Sequence, residues 1–206
     1  ASANTFEHAE NRDVAIEVPK VSGIDVAIDW RPYKDSMYVK TQEEAFAMYQ
    51  DNNHTLDGTL ILTPDGVKGI GKLDWEQAAM SSPLFAFGAN SVKADTTTLA
   101  IKAEGGEEIA LRTSDMKADV DFDEGKSKFE ANSAMAITEL PYNQYETSIN
   151  TFNWDMNAGK VDFQASGDIG SFLSVHPDQD SLVFDGAFAA TTPEVGRVVA
   201  HQRTKL

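Results

Sequence analysis

One segment of this chain occurs twice with the same spacing. Residues 119–132 read DVDFDEGKSKFEAN, and residues 153–166 read NWDMNAGKVDFQAS; a gapless alignment matches an aspartate, a glycine, a lysine, a phenylalanine and an alanine. A shorter segment, GKLDWE at residues 71–76, fits the same frame with Trp75 in place of phenylalanine. Each copy is an alternating run, a glycine and a second alternating run, which is typical of a strand, a turn and a strand. Because each hairpin needs neighbours to bury its apolar face, we predict stacked β-hairpins.

The repeat also predicts where the chain turns and which side chains are buried. Glycines at the centre of the copies indicate hairpin turns at residues 123–126 and 157–160, and Pro-Asp-Gly indicates another at residues 64–66. Matched positions in stacked units face the same interior. We therefore expect Phe129, Phe163 and Trp75 to be buried.

Alternation with a period of two continues along most of the chain, so the sequence predicts an all-β fold of stacked β-hairpin repeats, solenoid-like or an elongated sandwich. In IDVAIDW, residues 24–30, the apolar side chains share one face, and Ser22-Gly23 indicates a turn before them. Residues 42–50 are ambiguous. Thr41 and Glu44 have the spacing of a capping box, which favours a short helix, whereas Phe46 and Met48 alternate as in a strand.

The domain organisation follows from the extent of this pattern. Residues 13–190 are predicted to form a single β-repeat domain, because neither a linker nor a change in composition interrupts them. Residues 1–12 are polar and are expected to be a flexible N-terminal segment. Residues 191–206 form a C-terminal segment that is expected to be truncated from a longer protein.

Composition excludes several classes of function. The 206 residues contain 17 Lys and Arg against 33 Asp and Glu, which gives a net charge of −16. Such a chain repels phosphate backbones, so nucleic acid is not an expected partner. The chain has no cysteine, which excludes disulfides, thiolate catalysis and cysteine-ligated zinc. No run of residues is apolar and long enough for a transmembrane segment.

Four acidic residues have the spacing of a calcium-binding loop. Asp119, Asp121, Asp123 and Glu130 match positions 1, 3, 5 and 12 of an EF-hand, but the glycine required at position 6 is Glu124. We expect these aspartates instead to line the solvent-exposed face of a strand. The sequence accordingly predicts neither metal-ligating nor catalytic residues, no cofactor, and no enzyme.

The one candidate ligand-binding group is aromatic. Tyr142, Asn143, Tyr145 and Trp154 lie in a polar stretch, and sugars stack on such rings and hydrogen-bond to such amides. Trp154, however, also occupies a position of the repeat, which favours a place in the core. For Tyr142 and Tyr145 the sequence does not separate the two interpretations.

The repeat texture resembles that of a known group of proteins. The segments DGTLILTPDGVKGIGKLDW, SDMKADVDFDEGKSKFEAN, PYNQYETSINTFNWDMNAGKVDF and HPDQDSLVFDGAFA resemble repeats of large uncharacterised envelope proteins of Bacteroidetes-type bacteria. More loosely, they are similar to the β-rich repeats of the OstA-like and AsmA/TamB-like families. That resemblance implies short strands stacked into an open solenoid or taco-shaped sheet in the periplasm, and it implies no catalytic residue.

The resulting functional expectation is a non-enzymatic structural or adhesive β-repeat segment of a larger bacterial envelope or surface protein. It would reside in the periplasm, on the outer-membrane surface or outside the cell. Its partners would be other segments of the same protein, envelope components or a glycan. The alternatives are a carbohydrate-binding β-domain and a periplasmic β-taco that handles lipid or lipopolysaccharide.

Overall fold

The computed structural model describes residues 5–8, 17–49, 53–103, 105–133, 136–141, 145–164, 172–175 and 199–200. This part of the chain contains no α-helix, and all its strand pairings are antiparallel. The all-β prediction is thus confirmed. The strands are β1 (Thr5–His8), β2 (Val21–Ile24), β3 (Val26–Arg31), β4 (Ser36–Thr41), β5 (Phe46–Met48), β6 (His54–Thr63), β7 (Gly66–Trp75), β8 (Ala78–Phe87), β9 (Ser91–Lys102), β10 (Ile109–Asp121), β11 (Lys126–Ala131), β12 (Ile137–Leu140), β13 (Tyr145–Ser148), β14 (Thr151–Asp155), β15 (Lys160–Gln164), β16 (Phe172–Val175) and β17 (Val199–Ala200).

The sheet is built around five long consecutive strands, β6 to β10, each paired with the next. On one side, β5 pairs with the first residues of β6 and the β3–β4 hairpin pairs with its last residues. On the other side, β12 and β11 pair with successive parts of β10, and β11 continues to β14 and β15. The sheet therefore branches at both sides of the long strands.

Pairing irregularities cross the middle of the long strands. The register shifts between β7 and β8 and again between β9 and β10. Buried hydroxyls satisfy backbone groups there: Ser82 Oγ donates to Thr96 O at 2.7 Å, and Thr97 Oγ1 donates to Ser81 O at 3.0 Å. Bulges bend a strand and increase its twist, and buried backbone groups need such partners. We call this row of irregular pairs the bend line.

The bend line keeps one face of the sheet pointing at the core. On β9 the buried positions before it are Val92 and Ala94, and those after it are Leu99 and Ile101. The buried residues have even numbers before the bend line and odd numbers after it. The strand has therefore accommodated one extra residue there, and its apolar side chains still face the core. Without that extra residue, strict alternation would send half of the strand's apolar side chains into solvent.

Two glycines face each other near the bend line. Gly58 of β6 lies opposite Gly71 of β7, and both have left-handed φ angles, 151° and 134°. A Cβ on Gly58 would collide with Ile70 O, and one on Gly71 with Asp57 O. The shorter copy of the repeat begins at Gly71, but this residue lies inside β7, where the close approach of the two backbones requires glycine.

The two full copies of the repeat form the predicted hairpins. Turns at residues 122–125 and 156–159 join β10 to β11 and β14 to β15, and residues 64–65 join β6 to β7. Phe129, Phe163 and Trp75 are all buried, as predicted, and belong to one hydrophobic cluster. Between the two copies, the ring of Phe152 stacks on Phe129 with centroids 4.7 Å apart and meets Phe163 edge-on at 5.9 Å.

The first hairpin differs from the sequence prediction. Ser22 and Gly23 lie within β2, and the break comes at Asp25, whose φ is 52°. Only Val26 of β3 is buried, whereas Ile28 and Trp30 are exposed. These two side chains are exposed because β3 lies at the side of the sheet. Among the described strands it pairs with β4 alone, and no other described strand covers Ile28 and Trp30.

The ambiguous segment is resolved in favour of a strand. Phe46 and Met48 are buried on β5, and residues 42–44 are bends. The capping-box spacing of Thr41 and Glu44 therefore does not start a helix. Instead, Gly58 N–H donates to Thr41 Oγ1 at 3.0 Å. The Thr41 hydroxyl thus satisfies a backbone group near the bend line.

Candidate functional site

A cleft of about 1000 Å³ lies at one end of the strands, where several turns meet. Its lining comes from the start of β6, the turn between β7 and β8, the connection between β9 and β10, and the turn between β14 and β15. In an antiparallel sheet every second connection lies at the same end of the strands, and this brings these segments together although they are distant in the sequence. We refer to this feature as the end cleft.

The floor of the end cleft is apolar and largely aromatic. Trp75, Ile101, Trp154 and Met156 line it, and all four are buried. The two indole rings are stacked, with centroids 6.3 Å apart and an interplanar angle of 30°. Phe122 packs edge-on against Trp75 at 5.6 Å, so the floor continues into the hydrophobic core.

Among the described residues, the indole nitrogen of Trp75 has no hydrogen-bond partner. Trp75 is 5% exposed, and its Nε1 is buried. The buried phenol of Tyr49, by contrast, has a hydrogen-bond partner, because its Oη donates to Ser91 O at 3.0 Å. Burial raises the pKa of Tyr49, so the phenol stays neutral. An unsatisfied buried donor costs about 1–3 kcal/mol.

One cation is held at the wall of the end cleft by carboxylates. Lys102 Nζ lies 3.2 Å from Asp74 Oδ1 and 3.8 Å from Glu107 Oε2. Partial burial alone would raise the pKa of Asp74, but hydrogen bonds from Lys72 and Lys102 outweigh it and hold that pKa below 3.8. Among the described lining residues, Asp74, Glu76 and Glu107 carry carboxylates and Lys102 carries the one ammonium group, so this part of the cleft is acidic.

Hydrogen bonds between turns fix the shape of the end cleft. Gln77 Nε2 donates to Met156 O at 3.1 Å, which joins the β7–β8 turn to the β14–β15 turn. Lys102 N–H donates to Gln77 O at 2.8 Å. Asn157 Nδ2 donates to Glu124 O at 3.1 Å, which ties in the β10–β11 turn. The cleft is therefore pre-formed by bonds among several turns rather than by one loop.

The predicted ligand-binding group is only partly within the described structure. Tyr142 and Asn143 lie outside the described residues, and for Tyr145 only the backbone, at the start of β13, is described. Trp154 is 3% exposed and packs in the core cluster, as its repeat position favoured. The buried ring of Trp154 forms part of the cleft floor, and the ligand-binding role of these four residues stays a prediction.

The acidic residues with EF-hand spacing lie along a strand and its turn, as expected. Val120 is buried while Asp119 is exposed and pairs with Lys93 at 2.9 Å. Asp121 Oδ1 accepts hydrogen bonds from the backbone N–H groups of Asp123 and Glu124, both at 2.9 Å. The Asp121 carboxylate thus stabilises the hairpin turn.

No local sequence pattern indicates the end cleft. Asn53, Gln77, Glu107 and Asn157, which contribute to its rim, come from four separate connections. The repeat placed Trp75 in the core but gave no signal that it would border a cavity. The pairing of β6 to β10 brings the first three together, and the pairing of β10 with β11 and of β11 with β14 adds the β14–β15 turn. The pairing of β11 with β14 is not encoded in a local pattern.

Comparisons with protein-family models, with curated proteins and with solved structures found no match. Within the described residues, no helix has the length and apolar character to cross a membrane. The same residues contain no group of three or more His, Cys, Asp or Glu side chains placed to hold a metal ion.

Proposed function

We propose that this chain is a non-enzymatic structural or adhesive β-segment of a larger bacterial envelope or surface protein. The single observation that supports it best is the shared core: both copies of the hairpin contribute matched phenylalanines, Phe129 and Phe163, to one hydrophobic cluster that extends back to Val21. A unit of this kind gains stability by adding hairpins to a sheet, which suits a spacer or support in a long repetitive protein.

The charge pattern is consistent with this role. The chain carries a net charge of −16, and lysines and aspartates pair across the exposed faces of neighbouring strands, as Lys93 and Asp119 do. A strongly charged exterior opposes aggregation between sheets. It also disfavours contact with phosphate groups on nucleic acid or anionic lipid.

The two alternative functions require different surfaces. A lipid-handling β-taco needs an open groove of apolar side chains, whereas the end cleft is lined by carboxylates and amides as well as by its apolar floor. Carbohydrate binding needs hydrogen-bonding side chains beside accessible rings; the end cleft offers the side chains, whereas Trp75 and Trp154 are almost fully buried. Of the two alternatives, we regard lipid handling as the less favoured proposal.

Cell fractionation of the source bacterium tests the proposed function. An antibody raised against the chain should detect its antigen in the envelope or extracellular fraction, in a polypeptide longer than 206 residues. A cytosolic enzyme and a periplasmic protein of the same cells serve as fractionation markers. Detection only in the cytosol, or only as a polypeptide of this length, would overturn the proposal.

A further inference from the structure

The outer edge of β3 is open and apolar. Among the described strands, β3 pairs with β4 alone, so its other edge has no described backbone partner. Ile28 and Trp30 project from one face of β3 and are 51% and 71% exposed. Ile28 lies opposite Val39, which belongs to the core cluster, and Trp30 lies opposite Met37, which packs against that cluster. The apolar face of the sheet therefore runs from the core to an uncovered edge.

This edge lacks the features by which natural proteins prevent pairing between sheets. Lysine, proline, a bulge or a covering segment protects most edge strands. Residues 26–31 contain neither lysine nor proline, and their register with β4 has no shift. Asp29 and Arg31 alternate with the apolar residues and so project from the opposite face, where their side chains form an ion pair at 2.6 Å. An edge of this kind accepts a further strand through its backbone groups.

We propose that β3 of a second copy of this chain occupies the edge, antiparallel to the first β3 and related to it by a two-fold axis at Trp30. Self-assembly of this kind goes beyond the proposed function and does not depend on it. In a two-fold interface each contact between different residues occurs twice, so the sequence of β3 must complement itself.

The residues of β3 select the register. Apolar side chains stay on one face only if even-numbered residues lie opposite even-numbered ones, which allows axes at Ile28, Asp29 and Trp30. An axis at Asp29 places the two Asp29 carboxylates directly opposite each other, which is destabilising. An axis at Ile28 moves the second copy towards Ile24, which already pairs with β1. The axis at Trp30 avoids both conflicts.

The Trp30 register also makes favourable cross-strand pairs. The two Trp30 rings lie opposite each other, and Asp29 of each copy lies opposite Arg31 of the other copy. Aromatic pairs and pairs of opposite charge stabilise neighbouring antiparallel strands. Trp30 in addition loses the contact with water that it has in the single chain.

The local charge permits this contact although the whole chain is acidic. Residues 26–41, which form β3, β4 and their connection, contain three basic and two acidic side chains, whereas the whole chain has a net charge of −16. Exposed charges farther apart than about 8 Å are largely screened at physiological ionic strength. A second copy that approaches along β3 therefore meets a surface without net negative charge.

The contact is short, so the dimer is weak. The five residues from 28 to 32 span roughly 17 Å of strand. A strand pair of this length buries less than the about 800 Å² per partner of a standard interface. We expect a dissociation constant of about 100 μM.

Sedimentation equilibrium of the whole chain, from about 5 to 500 μM, tests the proposal. The average mass should rise from that of one chain towards that of two and should not exceed two, because a two-fold interface is closed. Tryptophan emission should shift to shorter wavelength over the same range. Trp30 causes this shift, since Trp75 and Trp154 are buried in the single chain already.

Charge variants decide whether association uses this edge and this register. Asp29→Arg places arginines opposite each other and Arg31→Asp places aspartates opposite each other, so each variant alone should associate at least about tenfold more weakly than wild type. An equimolar mixture of the two variants should associate within about threefold of wild type, because every cross-strand pair in the mixed dimer is of opposite charge. Lys40→Asp alters the net charge as much as Arg31→Asp does, but it lies on β4 and should change nothing.

Three results would overturn the proposal. The first is a wild-type chain that stays single at about 500 μM. The second is a single variant, Asp29→Arg or Arg31→Asp, that associates as wild type does, which would place the contact on another surface. The third is a mixture that fails to associate although both variants have the circular dichroism spectrum of wild type.

Discussion

Replacement of Phe129 by alanine tests the core that the repeat builds. Phe129 is fully buried on β11, and its ring stacks on Phe152 at a centroid distance of 4.7 Å. Truncation of a fully buried phenylalanine costs about 3–5 kcal/mol, through lost burial and the cavity left behind. For a chain of this size each kcal/mol lowers Tm by roughly 2–4 °C, so Phe129→Ala should lower Tm by about 6–20 °C.

Thermal unfolding followed by circular dichroism measures this shift. The matched control is Tyr33→Ala, which removes an aromatic ring that is fully exposed in the turn between β3 and β4. That change should alter the free energy of unfolding by less than about 0.5 kcal/mol. Equal Tm values for Phe129→Ala and Tyr33→Ala would refute the argument that matched positions of the repeat form a shared core.

Three further predictions concern the backbone, pH and calcium. Gly58→Ala should destabilise the chain far more than Gly159→Ala, because a Cβ at Gly58 collides with Ile70 O, whereas one at Gly159 meets no described atom within 4 Å and adds only the cost of a left-handed φ; equal urea midpoints would contradict this. Folding lowers the pKa of Asp74, so its ionised carboxylate stabilises the fold above its usual pKa of 3.8, and this stabilisation is lost as pH falls through the folded-state pKa. The difference in free energy of unfolding between wild type and Asp74→Asn should therefore shrink from pH 7 to pH 3. A difference that stays constant would contradict this. Calorimetry should find no micromolar calcium site, and one abolished by Asp121→Ala would overturn the assignment of that carboxylate to the turn.

Much of the fold was predictable because hairpins are local. The glycines at 125 and 159 take left-handed φ angles of 64° and 61° in turns, and the alternation around them set which side chains are buried. Phe129 and Phe163 could therefore be assigned to the core from the repeat alone. Period-two patterning determines which face of a strand is apolar, and it is fully visible in the sequence.

Other features depend on long-range pairing and were missed. Gly71 matches the repeat frame, but it faces Gly58 inside the sheet, and no local pattern reveals that partner. Ile28 and Trp30 alternate like core residues, yet their strand lies at the side of the described sheet and leaves them exposed. The end cleft was missed for the same reason, since its residues meet only when neighbouring strands pair.

We expect the hairpins to unfold as one cooperative unit, because they share one buried cluster that runs from Val21 to Phe163. Urea unfolding of Trp30→Phe, followed both by tryptophan fluorescence and by far-ultraviolet circular dichroism, tests it most directly. Fluorescence then reports only Trp75 and Trp154 at the end cleft, whereas dichroism reports all strands. We predict coincident transitions with a single midpoint. Two separated midpoints would contradict the shared core.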